Sequence, residues 1–154
     1  MSGHAPLQLE HFLPYRLSIA SNTISAAIAR EYQQRYGLSV TEWRVIAVLA
    51  RYDGEGLSAR ELAERTAMDK VAISRALARL VAAGRVLRRR HRGDRRRSVL
   101  ALSARGWAIH DRIAPHARAH EAALLARLSA HERACLTRIL DKLLAAESAT
   151  GPQT

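Results

Sequence analysis

Three times in this chain a serine stands three residues ahead of a glutamate at the head of an apolar-periodic stretch: Ser39 with Glu42, Ser58 with Glu61, and Ser129 with Glu132. In such a capping box the hydroxyl and the carboxylate each accept a backbone N–H that a helix start leaves without a partner. The boxes predict helices over 39–51, 58–66 and 129–147. Asp69 is a further cap, opening a helix over 70–83 that Gly84 stops at its C′ position. Residues 7–36 carry Phe12, Leu13, Leu17, Ile24, Ile28 and Tyr32 at three- and four-residue spacing. They predict one long helix, with Pro14 tolerated in its first turns, so that the regular helix begins near it, and Gly37 as its stop. From Ser103 another helical stretch runs to about residue 128, which Pro115 kinks or splits. With 29 alanines in 154 residues and aromatics at only 5%, composition points the same way, since alanine favours helix over strand.

Only residues 85–102 depart from this pattern. Arg85-Val86-Leu87 and Ser98-Val99-Leu100-Ala101-Leu102 are β-capable runs around the polar, glycine-containing tip Arg92-Gly93-Asp94-Arg95, and they predict a hairpin. The chain carries 25 Lys+Arg against 14 Asp+Glu, a net charge of +11 with histidine neutral. Eight arginines and one acid, Asp94, fall between Arg85 and Arg97, so +7 of the +11 sits in thirteen residues. Unpaired charge is prohibitive in a core, so these arginines face solvent or a polyanion. The pattern indicates nucleic acid rather than a membrane surface, because the basic residues occupy a hairpin and not an amphipathic helix.

The predicted helix 70–83 has two faces. Ile73, Ala76, Leu77 and Leu80 form an apolar stripe, while Lys70, Val71, Ser74, Arg75 and Arg79 fall outside it. A small, hydroxylic and basic outer face suits the edges of bases in a major groove. Block 39–102 is thus a winged helix-turn-helix in outline. Helices 7–36 and 103–147 are too apolar for a block of this size to cover, which predicts packing with a second copy, and residues 148–154 are expected to be a flexible tail. The fold class expected is mainly α with one small β-hairpin wing, over a single domain 1–154.

These residues resemble the multiple-antibiotic-resistance regulator (MarR) family of bacterial winged-helix transcription factors. The similarity runs through Leu38-Ser39-Val40-Thr41-Glu42-Trp43-Arg44-Val45, Ser58-Ala59-Arg60-Glu61-Leu62-Ala63 and the recognition-helix stretch Asp69-Lys70-Val71-Ala72-Ile73-Ser74-Arg75-Ala76-Leu77. It continues in Leu80-Val81-Ala82-Ala83-Gly84, in Gly93-Asp94-Arg95-Arg96-Arg97, which resembles the family's Asp-x-Arg wing signature, and in Leu102-Ser103-Ala104-Arg105-Gly106. The resemblance implies a homodimer on a pseudo-palindromic double-stranded DNA operator, acting as a repressor that a small aromatic or phenolic acid-like effector releases. It implies that Val71, Ser74 and Arg75 face bases and that Lys70 and Arg79 face phosphates. Arg92, Asp94, Arg95, Arg96 and Arg97 would form the wing, with Arg96 in a narrow minor groove and Asp94 orienting it. His11, Tyr15, Arg16 and Trp43 are the expected effector residues, Arg16 anchoring a carboxylate while Tyr15 and Trp43 stack on a ring.

Other features carry less. His116 and His120 have zinc-compatible i, i+4 spacing but lack further placed ligands, so no cofactor or metal is expected. Cys135 lies on the apolar side of the last helix and is expected to be a buried structural thiol. A single cysteine builds no disulfide framework and fits a cytoplasmic protein. The longest apolar run, Val45 to Ala50, is too short to span a bilayer. No nucleophile–base constellation or phosphate-cradling loop appears, so enzyme activity is not expected. The alternative is a non-specific or architectural nucleic-acid binder that needs neither palindrome nor effector.

Overall fold

The computed structural model describes residues 6–66, 68–91, 93 and 98–149. The chain divides into two compact units, one ending at Ala114 and the other beginning at Pro115. The order of elements is α1 (Leu13–Tyr36), α2 (Val40–Arg51), α3 (Ala59–Thr66), α4 (Lys70–Ala82), β1 (Val86–Arg90), β2 (Ser98–Leu102), α5 (Ala104–Leu125) and α6 (Ala130–Ala149). Among the described residues no helix is long and apolar enough to cross a membrane.

Local chemistry sets these boundaries. At α2, Ser39 N–H donates to Glu42 Oε2 at 2.7 Å and Glu42 N–H donates to Ser39 Oγ at 3.2 Å. The same reciprocal pair opens α3 at Ser58 and Glu61, and α6 at Ser129 and Glu132. Asp69 caps α4 by accepting from Ala72 N–H at 2.9 Å. At its other end Arg85 N–H returns to the Leu80 carbonyl and Gly84 N–H to Val81, with Gly84 at φ 65°. That double return needs a left-handed residue, which glycine supplies without a Cβ penalty. Proline stands in the first turn of α1, which ends on Gly37 at φ 60°.

The first unit is built around α2, which α3, α4 and β2 all contact. Leu38, Ile46, Leu62, Ile73, Leu80 and Val86 are completely or almost completely buried there. β1 and β2 pair antiparallel, from Val86 opposite Leu102 at the base to Arg90 opposite Ser98 towards the tip. A third strand segment joins them: Leu100 N–H donates to the Leu57 carbonyl at 2.7 Å. The sequence shows no strand signal there, because the single residue between Gly56 and the Ser58 cap pairs only through tertiary contact. At Gly56, φ is 70° and an added Cβ would approach Val99 to 2.8 Å, so the loop closes against β2 only with glycine. Ser103 Oγ accepts from Gly106 N–H at 3.0 Å and lies 2.7 Å from the Gly84 carbonyl, fixing the first turn of α5 to the end of α4.

α1 starts at Leu13, beside Pro14, as expected. Two boundaries differ from expectation. α5 is not split at Pro115 and stops at Leu125, before the expected residue 128. α6 continues to Ala149, so the expected tail from 148 begins two residues too early, and its remaining residues, 150–154, lie outside those described.

Candidate nucleic-acid interface and effector cleft

α4 shows the two faces that its spacing requires. Ile73, Ala76, Leu77 and Leu80 are each at most 3% exposed, whereas Lys70, Val71, Ser74, Arg75 and Arg79 are all exposed. Val71 is 55% exposed, an apolar side chain held in water beside a hydroxyl and two cations. Arg79 has a second attachment: its Nε lies 3.9 Å from Oε1 of Glu42, the buried carboxylate that caps α2. The recognition-type helix is therefore braced on the start of α2 by a long ion pair as well as by its apolar face.

Beyond α4 the hairpin continues the basic surface, with Arg88, Arg89 and Arg90 exposed along β1. The wing residues Arg92, Asp94, Arg95, Arg96 and Arg97 lie outside the described residues. Of the tip, Gly93 N–H donates to His91 Nδ1 at 3.1 Å.

The four expected effector residues are not brought together within one chain. Trp43 packs on Tyr32 with ring centroids 5.9 Å apart and stacks on His110 at 5.9 Å and 25°, while Trp107 meets His110 edge-on at 5.3 Å. Ser25, Ile28, Tyr32, Val40, Trp43 and Arg44 line a cavity of about 160 Å³ beside this stack. His11, Tyr15 and Arg16 lie exposed at the opposite end of α1. Arg16 precedes Tyr32 by sixteen residues, about 24 Å along the helix axis, so it cannot reach this chain's Trp43. The charged group beside the aromatic stack is Arg44. Burial pushes the Tyr32 hydroxyl up to about 12, against an opposing pull from Arg44. Periodicity assigned Tyr32 to an apolar stripe and left His110 without a role, because the pairing of α5 with α2 has no local signature.

Cys135 also departs from expectation. It is half-buried, not buried, with Sγ 3.4 Å from His131 Nε2 and 3.5 Å from Arg138 Nη2. Among the described residues no group of three or more histidine, cysteine or acidic side chains is placed to hold a metal ion.

The same arrangement of elements occurs in known proteins. Residues 36–97 match the model of the MarR family. The chain is 32% identical over 144 residues to the HTH-type transcriptional repressor Rv2887 of Mycobacterium tuberculosis, covering 93% of this chain and 96% of that one. The structure of S. aureus MepR in complex with DNA aligns with a TM-score of 0.79 at 18% identity, covering 89% of this chain and 97% of MepR. The PcaV transcriptional regulator from Streptomyces coelicolor, in complex with its natural ligand, aligns at 0.70 with 24% identity, covering 94% and 99%. Both structures share the fold. Motif order, fold and whole-length similarity agree: the chain belongs to the MarR family of transcriptional regulators.

Proposed function

We propose that this protein is a homodimeric transcriptional repressor that reads a pseudo-palindromic operator with α4 and the wing, and that a small aromatic or phenolic acid-like effector releases it. One observation carries the DNA reading: α4 buries its apolar stripe completely and turns Lys70, Val71, Ser74, Arg75 and Arg79 outward. Ser74 and Arg75 can donate to base edges and Val71 can contact a thymine methyl, while Lys70 and Arg79 meet phosphates. Arg96 with Asp94, flanked by Arg92, Arg95 and Arg97, would extend the contact into the minor groove. The name of Rv2887 and the DNA complex of MepR support this assignment.

The exposed apolar residues of α1 and α6, among them Leu13, Leu17, Ile139 and Leu144, with Phe12 just ahead of α1, support a two-fold assembly. Two recognition helices must then stand about 34–36 Å apart to enter successive major grooves. The cavity beside Trp43, Tyr32 and Arg44 is the effector site within one chain, with Arg44 for a carboxylate and the rings for stacking. His11, Tyr15 and Arg16 could enter such a site only from a second copy. The ligand-bound PcaV structure supports an effector here. An effector that favours the wrong spacing by about 1–3 kcal/mol lowers DNA affinity roughly 5- to 150-fold.

Competition at fixed salt between random duplex and the promoter beside the protein's own gene tests the reading. A repressor prefers its operator by about 10³-fold or more. Equal affinity would establish the architectural alternative instead.

A further inference from the structure

Where α1, the base of the hairpin and α5 meet, the first unit holds a charged cavity that neither α4 nor the aromatic cleft uses. Arg35 and Tyr36 at the end of α1, Arg85 ahead of β1, and Arg105, Ile109 and Arg112 on α5 line a space of about 360 Å³. Arg105 and Arg112 are two helical turns apart, so they share one face of α5 at a separation of about 10 Å along its axis. Arg85 is held from behind: its Nη2 donates to the Tyr36 carbonyl at 2.9 Å, where α1 ends. Its Nε is shielded from solvent and has no hydrogen-bond partner.

The charge balance agrees. Arg35 meets Glu31 only at 3.9 Å, and among the described residues no carboxylate pairs with Arg85, Arg105 or Arg112. The first turn of α5 contains no acid, so its N-terminal dipole adds to the positive potential. Like charges lining one space are relieved when an anion enters it, and guanidinium forks match phosphate oxygens bidentately.

We propose that this cavity binds a small multivalent phosphate anion of the pyrophosphate type. The two-turn separation of Arg105 and Arg112 suits two linked phosphate groups better than one. Bound operator is disfavoured as the source of those phosphates. The cavity sits at the base of the hairpin, and Arg90 stands five residue steps, about 17 Å of strand, from Arg85 towards the tip. It also lies at the C-terminal end of α4, about 20 Å of helix away from Lys70.

Calorimetric titration of the full-length protein with inorganic pyrophosphate and with inorganic phosphate, at low ionic strength, tests this. The expected result is saturable binding of one pyrophosphate per chain, tighter than phosphate. It should weaken severalfold in Arg105→Ala and in Arg112→Ala, and at least tenfold in the double variant. All these sites are exposed, so circular dichroism should show an unchanged fold. Arg118→Ala with Arg127→Ala removes the same charge from exposed positions outside the cavity and should leave binding unchanged. Equal weakening by the two pairs, phosphate binding as tightly as pyrophosphate, or no saturable binding would each overturn the proposal. So would a DNA duplex that displaces pyrophosphate and binds the Arg105→Ala, Arg112→Ala variant tenfold more weakly, since the cavity would then be a DNA-backbone contact.

Discussion

α4 and α6 are both written with apolar residues at three- and four-residue spacing, yet they end in opposite situations. Ile73, Ala76, Leu77 and Leu80 of α4 are at most 3% exposed. In α6 no residue with described burial is buried, and Leu136, Ile139, Leu140 and Leu144 remain 42%, 51%, 39% and 68% exposed. α1 shows both situations in one helix, since Ala29 and Tyr32 are buried while Leu13, Leu17 and Ile24 are not. The same periodicity thus specifies a complete packing partner in α4 and an open one in the outer helices. A stripe covered within the chain fixes the fold, whereas a stripe left open is the surface the proposed second copy would cover.

The contrast is best broken by mutating each stripe. Leu80→Ala removes a fully buried side chain from α4 and should cost about 2–5 kcal/mol, read as a concentration-independent loss in urea unfolding. Ile139→Glu on α6 should change the unfolding of a single chain by less than about 0.5 kcal/mol. It should nevertheless weaken self-association at least tenfold, about 1.4 kcal/mol, in sedimentation equilibrium. If Ile139→Glu instead unfolds the chain and leaves its mass unchanged, the two stripes are alike and the comparison fails.

Smaller effects sharpen it. Ser39→Ala removes the hydroxyl half of the cap on α2, the helix on which α4 rests, and should cost about 0.5–2 kcal/mol in thermal unfolding. Tyr32 gives a pH signature for the junction of α1 and α2. Its ionisation is raised in the folded chain to about 12, so the stabilisation is complete below the ordinary tyrosine value and is lost as pH rises from about 10 through 12. Absorbance titration should show a late tyrosine ionisation, and Tyr32→Phe should abolish it.

What the sequence disclosed follows the range of the forces involved. Ser39 with Glu42, Ser58 with Glu61, Ser129 with Glu132, and Asp69 with Ala72 all act within three residues, and each boundary they set is found where the spacing places it. The inner face of α4 was equally legible, because one helix carries the whole pattern. Leu57 beside Leu100, Trp43 on His110 and Arg85 on the Tyr36 carbonyl join residues far apart in the chain, and no local spacing encodes them. The grouping of Arg16 with Trp43 came from the family resemblance and not from local spacing, and within one chain sixteen residues, about 24 Å of helix, separate Arg16 from Tyr32, on which Trp43 packs.

We propose that the outward face of α4 reads bases, with Arg75 as its principal donor. A salt-controlled titration of wild type and Arg75→Ala against the operator and against random duplex tests it most directly. The expected loss is about 1–3 kcal/mol on the operator, with random duplex almost unchanged. An equal loss on both duplexes, or none on the operator, would contradict it.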